Sequence, residues 1–350
     1  MYFITSLSLG GAEKVTLNLA EEMIKKGHEV KLVYMFGEAK IFSQEKKLVI
    51  QSLKLSSYMS LFFGFLRLRK ILVDFNPDVV HSHMYHANIF IRIYRLFFGL
   101  KKLINSAHSS IEGSKFGMLL YRFTNFLSDL NTNVSNSALK SFIENGAFKS
   151  KKSKVVYNGV DLEKFPFNIY SSKNKFNLIA IGRFAPEKDY INLINSICIL
   201  NKESNYNFNL SIVGDGPDFL YIKKYINKLD LQDTVRLLGR RDDISELLAL
   251  SGCLILSSKF EGLPTVIMEA MSCGCFIIST DCGGSAEIMK SDFGTLVPVG
   301  DSAALASAIK QYLEYSDDFL SKAAENARKI ILDNFSIKVA VNTWEDIYKS

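Results

Sequence analysis

Short apolar runs alternate with helical stripes along the whole chain, and no other feature constrains its fold as tightly. In the first half, runs that read as strands lie near 1–5, 29–35, 78–82, 102–106, 130–134 and 154–157. In the second half they lie near 176–181, 208–213, 234–238, 253–256, 276–279 and 295–297. Between them the spacing turns helical. Segment 12–26 places apolar residues at 15, 17, 19, 20, 23 and 24, and Gly27 follows as a C-cap. Segments 218–229, 242–250, 265–273 and 302–313 read the same way. Strand–helix–strand alternation of this kind builds parallel, doubly wound sheets.

The pattern occurs twice in 350 residues, as a length of ~100–200 residues per domain allows. The sequence therefore predicts an α/β protein with two Rossmann-like domains, 1–165 and 166–332. The boundary falls near 160–175, where VDLEKFPFNIYSSKNK has no clear periodicity. No internal repeat is visible. Two such domains leave a cleft, and open α/β sheets bind ligands at the carboxyl ends of their strands.

Charge divides the halves. Residues 1–165 carry a net +10 and residues 166–350 a net −4, so the first half suits an anionic partner. Within 51–102, eight basic residues face two acidic ones, Asp74 and Asp78, in a stretch rich in Phe, Leu and Tyr. The five cysteines, Cys198, Cys253, Cys273, Cys275 and Cys282, are odd in number and lie in the second half. With no secretory leader in view, a reduced cytoplasmic compartment is expected. Cys273 and Cys275 read as packed helix-end thiols rather than a redox pair. No apolar run reaches the ~18–20 residues of a membrane-spanning helix. The nearest, 58–66 and 89–100, are broken or flanked by Arg67, Arg69, Lys70, Arg92 and Arg95.

Three loops carry chemistry. Gly10-Gly11-Ala12-Glu13 follows the first strand and opens a helix, whose free N–H groups attract a phosphate. A tight turn with no ligand is the alternative, and the pair is not a GxGxxG fingerprint. IGRFAPEKD, 181–189, sets Arg183 and Lys188 across a turn containing Pro186. Guanidinium and ammonium together suit a diphosphate; a solvated basic loop is the alternative. KFEGLPTVIMEAMSCG, 259–274, places Glu261 before a helix and Glu269 within it. Carboxylates eight apart on one helix lie ~12 Å apart, too far for the ~5–9.5 Å of a hydrolase pair. They suit the two ends of one long ligand, with the helix start holding its anionic centre, or else have structural roles.

Taken in order, GGAE, a histidine after the fourth strand in NSAHSS, VYNGVD, IGRFAPEK, VGDGP and EGLPTVIMEAMSCG resemble one family. The chain is similar to the retaining, nucleotide-sugar-dependent glycosyltransferases of family 4, which have the GT-B fold, from Gly10 to about Ile288. The block at Glu261 and Glu269 looks like the family's E-x7-E signature. The resemblance implies that the first domain binds the acceptor and the second the donor. Segment 333–350, around Trp344, would be a helix crossing back onto the first domain. Arg183 and Lys188, beside Gly182, would grip the donor diphosphate and stabilise the departing charge. Glu269 would accept the ribose hydroxyls, and Glu261 would meet the donor sugar. Gly262, Leu263, Pro264 and Thr265 would line sugar and phosphate, and Gly239 and Arg240 would meet the base. Gly10 and Gly11 match the loop reaching across the cleft, and His108 a histidine facing the transferred sugar. Catalysis would rest on Glu261, His108, Arg183 and Lys188. Asn158, Gly159 and Asp161 mark the interdomain connection.

The implied reaction moves a hexose or N-acetylhexosamine from a nucleotide diphosphate, UDP favoured, by same-face attack. No cofactor and no metal are expected. His81, His83 and His86 in HSHMYH lack a cysteine or carboxylate to complete a zinc site, so a cleft-lining or structural role is expected. Segments 57–73 and 89–102 mix aromatic residues with Arg and Lys, as does a helix lying on an anionic membrane surface; core-packed helices with solvated basic edges are the alternative. A polyprenyl-diphosphate-linked glycan acceptor would explain both charge and apolarity, placing the protein peripherally on the inner face of the cell membrane. Assembly of bacterial surface polysaccharide, whether lipopolysaccharide O-antigen, capsule or exopolysaccharide, fits this picture. No nucleic-acid motif accompanies the charge. An epimerase-like enzyme on the same fold, or a non-catalytic nucleotide-sugar or membrane-binding module, are the competing functions. Two features depart from the family pattern. The first strand, Tyr2-Phe3-Ile4, is short, which bears on the edge packing of the first sheet. Asp189 follows Lys188 where many members carry Gly.

Overall fold

The structure, a computed structural model, describes residues 1–8, 10–56, 58–168, 173–203 and 207–350. The chain divides into two units, Met1–Gly159 with Ile337–Ser350, and Val160–Ser336. Ser57, at the head of the first basic aromatic segment, and residues 169–172 of the expected boundary lie outside the described residues.

The first unit runs β1 (Tyr2–Ile4), α1 (Gly11–Lys25), β2 (Lys31–Phe36), β3 (Val49–Leu55), α2 (Tyr58–Phe75), β4 (Val80–His83), α3 (Tyr85–Phe97), β5 (Leu103–Ala107), α4 (Ser114–Thr124), β6 (Leu130–Asn133), α5 (Asn136–Glu144) and β7 (Ser153–Val155). Its strands form one parallel sheet in the order β3-β2-β1-β4-β5-β6-β7. Short as it is, β1 is not at an edge. All three of its residues are buried between β2 and β4. The strand missing from the sequence reading is β3, an outer strand whose VIQSLKL leaves Val49, Gln51 and Lys54 in water.

The second unit runs β8 (Asn174–Ile181), α6 (Tyr190–Glu203), β9 (Asn209–Val213), α7 (Phe219–Lys228), β10 (Val235–Gly239), α8 (Ile244–Leu250), β11 (Ser251–Leu256), α9 (Thr265–Ser272), β12 (Phe276–Thr280), α10 (Ser285–Ile288), β13 (Gly294–Val297), α11 (Ser302–Glu314) and α12 (Asp317–Ile330). Its parallel sheet has the order β10-β9-β8-β11-β12-β13. Every residue of β11 (SGCLIL) and β12 (FIIST) is buried. Helices cover both faces of such strands, which is why they read as unbroken apolar runs.

The chain then forms α13 (Ile337–Lys349). Ile337, Val341, Trp344 and Ile347 of α13 join Tyr2 and Ile4 of β1 and Leu17, Ala20 and Met23 of α1 in one core cluster. These positions recur every three or four residues, a single stripe of the helix. The units part at Gly159/Val160 and Ser336/Ile337, not at 165/166 and 332/333. The Phe165 carbonyl shows why, accepting from Ser272 Oγ at 2.6 Å and from an Arg328 guanidinium nitrogen at 3.1 Å. Val160 N–H likewise donates to Phe335 O at 2.8 Å. Cys253, Cys273, Cys275 and Cys282 are buried and free, and burial pushes the Cys273 thiol up to about 12.

Candidate active site

In the second unit the strand order reverses between β8 and β11, and ligands of open α/β sheets bind at such a switch point. Gly182 and Arg183 follow β8, and a single 3-10 turn, Pro186–Lys188, brings Lys188 back toward the sheet. Lys188 Nζ lies 2.5 Å from Glu261 Oε1, in the loop after β11, and both side chains are half-buried. Ser258 Oγ donates to the same Glu261 oxygen at 2.7 Å. The two loops are also stitched by their backbones. Ser257 Oγ donates to Lys188 O at 2.8 Å, and Lys259 N–H to Glu187 O at 2.8 Å.

Arg183 is differently placed. Its side chain is 68% exposed and pairs with Glu187 at 2.5 Å. The two cations of IGRFAPEKD are therefore held by two different carboxylates. Asp189 adopts a left-handed conformation, φ 47 and ψ 47. The turn keeps a geometry that glycine adopts freely, even with aspartate in its place.

Glycines set the close approaches. A Cβ on Gly283, φ +59, would stand 1.9 Å from the Glu261 carbonyl oxygen. One on Gly214 would stand 1.9 Å from Gly182 O, where Gly182 N–H donates to Val213 O at 3.0 Å. Thus VGDGP packs the loop after β9 against the loop after β8, and Gly283 does so for Glu261. Gly283 escaped the sequence reading, although the paired glycines of DCGG were its signal.

Gly262, Leu263 and Pro264 are buried, and Pro264 is the N-cap of α9 with no side-chain cap. Within α9, Thr265 and Glu269 alone are not fully buried. Four apart, they share the one accessible face of the helix. Glu261 lies in the loop, so helical rise does not set its separation from Glu269. Gly239 ends β10 with φ +65 and accepts from Gly214 N–H at 2.8 Å, and Arg240 beyond it is exposed.

In the first unit the order reverses between β1 and β4. Gly10 is the N-cap of α1 and Gly11 its first residue. Glu13, 4% exposed, folds back over Gly10 and accepts from Ser6 Oγ at 3.1 Å and from Ser8 Oγ. The positive end of α1, where the sequence suggested a phosphate, thus already carries a carboxylate.

His108 follows β5. Its Nε2 lies 3.0 Å from Nδ1 of His83, which ends β4. The His83 ring also packs against His81, centroids 4.0 Å apart and planes tilted by 37°. His81 Nδ1 lies 2.6 Å from the Tyr348 hydroxyl of α13, and His81 Nε2 2.7 Å from Ser106 Oγ. Burial pushes His108 down to about 4 and holds His81 and His83 well below the ordinary histidine value. His108 N–H donates to Glu112 Oε1 at 2.8 Å, and burial raises the Glu112 carboxyl to about 7. Glu112 was not among the residues read from sequence, and His83 was read there as cleft-lining or structural, without its link to His108. His86 meets Phe36 and Tyr85 edge-on. Among the described residues, no group of three or more His, Cys, Asp or Glu is placed to hold a metal ion.

Arg92 requires a correction. It is fully buried rather than part of an outward basic face. Its guanidinium donates to Asn105 Oδ1 at 2.7 Å, to Asn131 Oδ1 and to Tyr121 O, and lies 4.9 Å from the Tyr121 ring centroid. Arg95 turns inward to Leu127 O and Asp129. Asn88, Arg92 and Arg95, at helical spacing, form a polar seam of α3 that faces the protein. No helix among the described residues is long and apolar enough to cross a membrane.

Residues 161–330 match the family Glycosyl transferases group 1, and residues 9–164 match Glycosyltransferase Family 4. N-acetyl-alpha-D-glucosaminyl L-malate synthase of Bacillus anthracis is 25% identical, over 97% of this chain and 94% of that protein. The N-acetylgalactosamine-N,N'-diacetylbacillosaminyl-diphospho-undecaprenol 4-alpha-N-acetylgalactosaminyltransferase of Campylobacter jejuni is 27% identical, over 97% and 96%. Among solved structures, Anabaena Alr3699/HepE in complex with UDP superposes with a TM-score of 0.85 at 20% identity, covering 99% of this chain and 98% of that one.

Proposed function

We propose that this chain, which belongs to glycosyltransferase family 4, transfers a hexose or N-acetylhexosamine from a UDP-sugar to a polyprenyl-diphosphate-linked or other glycan acceptor, retaining the anomeric configuration. The observation that carries this reading is the pairing of Lys188 with Glu261 at the switch point of the second sheet. It sets an ammonium and a carboxylate beside the uncapped start of α9 and its Thr265–Glu269 face. In this reading Glu269 takes the ribose hydroxyls and Glu261 the sugar. Lys188 and Arg183 take the diphosphate and stabilise the charge that grows on it as the glycosidic bond breaks. The departing phosphate oxygen then accepts the acceptor's proton on the same face. Two cations supply this charge stabilisation from the chain itself, so the reaction is proposed to run without a metal. The UDP held by the Anabaena structure and the diphospho-undecaprenol acceptor of the Campylobacter relative support the choice of donor and acceptor.

An anionic membrane surface is the proposed setting, with the protein peripheral on the inner face of the cell membrane and acting in surface-polysaccharide assembly. The support comes from α2 and α4 rather than from the basic residues of α3. On α2, Phe62, Phe63 and Leu66 are exposed beside Arg69 and Lys70. On and after α4, Phe116, Leu119, Phe123 and Phe126 form an exposed stripe next to Arg122. Apolar side chains flanked by basic ones bind anionic lipid through both terms.

A thermal-shift panel of UDP, GDP, ADP and nucleotide sugars, each with and without EDTA, tests the donor site. Stabilisation of ~2–3 kcal/mol is expected from UDP at 100 or more times its dissociation constant. It should be indifferent to EDTA and lost in Glu269→Ala. No shift from UDP or any UDP-sugar, with folded protein, contradicts the reading.

A further inference from the structure

His83 ends β4 and His108 follows β5, and their rings meet through the Nδ1 of the first and the Nε2 of the second, 3.0 Å apart. The outer nitrogens, His83 Nε2 and His108 Nδ1, are buried with no hydrogen-bond partner. Both residues border a hollow of ≈ 10 Å³, room for about one water. Asn133 and Trp344 are among its other walls.

A neutral imidazole carries one N–H and one bare nitrogen. Two neutral rings bond only if one donates and the other accepts, so the proton between them fixes both tautomers together. If His83 Nδ1 donates, the proton of His108 sits on its Nδ1, which becomes a donor. If His108 Nε2 donates, His108 Nδ1 is bare and becomes an acceptor, while His83 carries its proton on Nε2. In either case both rings hold the same tautomer. The bond also restrains the His108 ring, because His83 is itself held by its packing against His81, centroids 4.0 Å apart, and against Tyr2, centroids 5.9 Å apart.

We infer that His83 is a positioning residue for His108: it holds the ring in place and sets whether Nδ1 presents a donor or an acceptor. This rests on the reading in which His108 meets the transferred sugar. His83 itself touches no reacting atom; it acts through His108 as the partner of a histidine ring determines the role of its other nitrogen. Burial, which holds both rings neutral, keeps each ring with the single N–H that this coupling needs.

The test combines kinetics and spectroscopy on the full chain. Asparagine places a polar atom near the position of histidine Nδ1, whereas leucine does not. His83→Leu is expected to lower kcat about 10–100-fold, the cost of a misplaced group, with the donor KM within about threefold. His83→Asn should recover most of that loss. With ¹⁵N-labelled histidine, wild-type His83 and His108 should show the same neutral tautomer, and His108 should change its tautomer balance in His83→Leu but keep it in His83→Asn. Opposite tautomers in the wild type overturn the inference. So does a His83→Asn variant no better than His83→Leu, or a His83→Leu variant with unchanged kcat while His108→Ala is impaired. A His108→Ala variant as fast as wild type instead removes the role given to His108, and is told apart by the tautomer result.

Discussion

Lys188 Nζ and Glu261 Oε1 lie 2.5 Å apart although 73 residues separate them in the chain. This ion pair joins the loop after β8 to the loop after β11, so two motifs that look independent in sequence form one structure. Lys188→Met removes the ammonium from a half-buried carboxylate and is expected to cost about 1–3 kcal/mol. Adding Glu261→Gln should recover part of it, because an amide needs no counter-charge. Urea denaturation of the two single variants and the double variant gives the coupling. Strictly additive costs would show that the pair does not interact. Lys188→Met should also lower kcat by at least about 100-fold.

Glu112 and the histidines give stability opposite slopes with pH. Burial raises Glu112 from 4.5 to about 7, so its contribution is fully present below about 4.5 and lost as pH rises through about 7. His81, His83 and His108 are lowered from 6.5, His108 to about 4, so their contribution is present above 6.5 and lost as pH falls toward 4. Glu112→Gln should leave the second slope and abolish the first. Thermal melts of both proteins from pH 4.5 to 8 check this. The stability gap between wild type and variant should move in favour of wild type as pH falls from 7 to 4.5. A gap constant across that window contradicts it.

The exposed stripe on α4 should bind lipid. Phe116→Glu with Phe123→Glu is expected to reduce co-sedimentation with phosphatidylglycerol-containing vesicles by about tenfold or more, since each change replaces buried apolar area with repelled charge. Phe62→Glu with Leu66→Glu on α2 should act in the same direction. Thermal unfolding should be little changed, because these side chains are already exposed. Full vesicle binding by both double variants would remove the membrane surface from the proposal.

Asp189 holds a left-handed backbone, and its carboxylate lies 3.4 Å from the exposed Lys259 ammonium. Asp189→Gly relieves the backbone but gives up a 3.4 Å ion pair whose lysine end alone is exposed, two effects of opposite sign, so stability should stay within about 1 kcal/mol. Asp189→Ala keeps the unfavourable backbone and gains nothing, and should cost about 1 kcal/mol. Equal stability of the two variants, measured in urea, would contradict the conformational argument.

The sheets were legible in the sequence because parallel strands buried on both faces read as apolar runs, as in β11 and β12. The outer strand β3 was not, because its exposed residues dilute that signal. Loop residues of the candidate site were legible through glycine, proline and charge at fixed offsets. Their partners were not. Nothing local links Lys188 to Glu261, or His83 to His108, because parallel strand order brings them together. Arg92 was misread for a related reason. Its helical spacing marks one stripe, shared with Asn88 and Arg95, but does not say that Asn105 and Asn131 wait opposite with carbonyl oxygens. A buried arginine with neutral partners looks, in sequence, like a basic surface residue.

Retaining transfer from a UDP-sugar is the central claim, and the anomeric configuration of the product tests it most directly. Wild-type protein, a UDP-α-sugar and a polyprenyl-diphosphate-linked acceptor sugar, in the presence of EDTA, should release UDP and form one new linkage. Proton NMR of the product should show the small anomeric coupling of an α-glycoside, and Arg183→Ala and Lys188→Ala should lose turnover by orders of magnitude. A β-linked product, or no transfer from any UDP-sugar by folded protein, would contradict it.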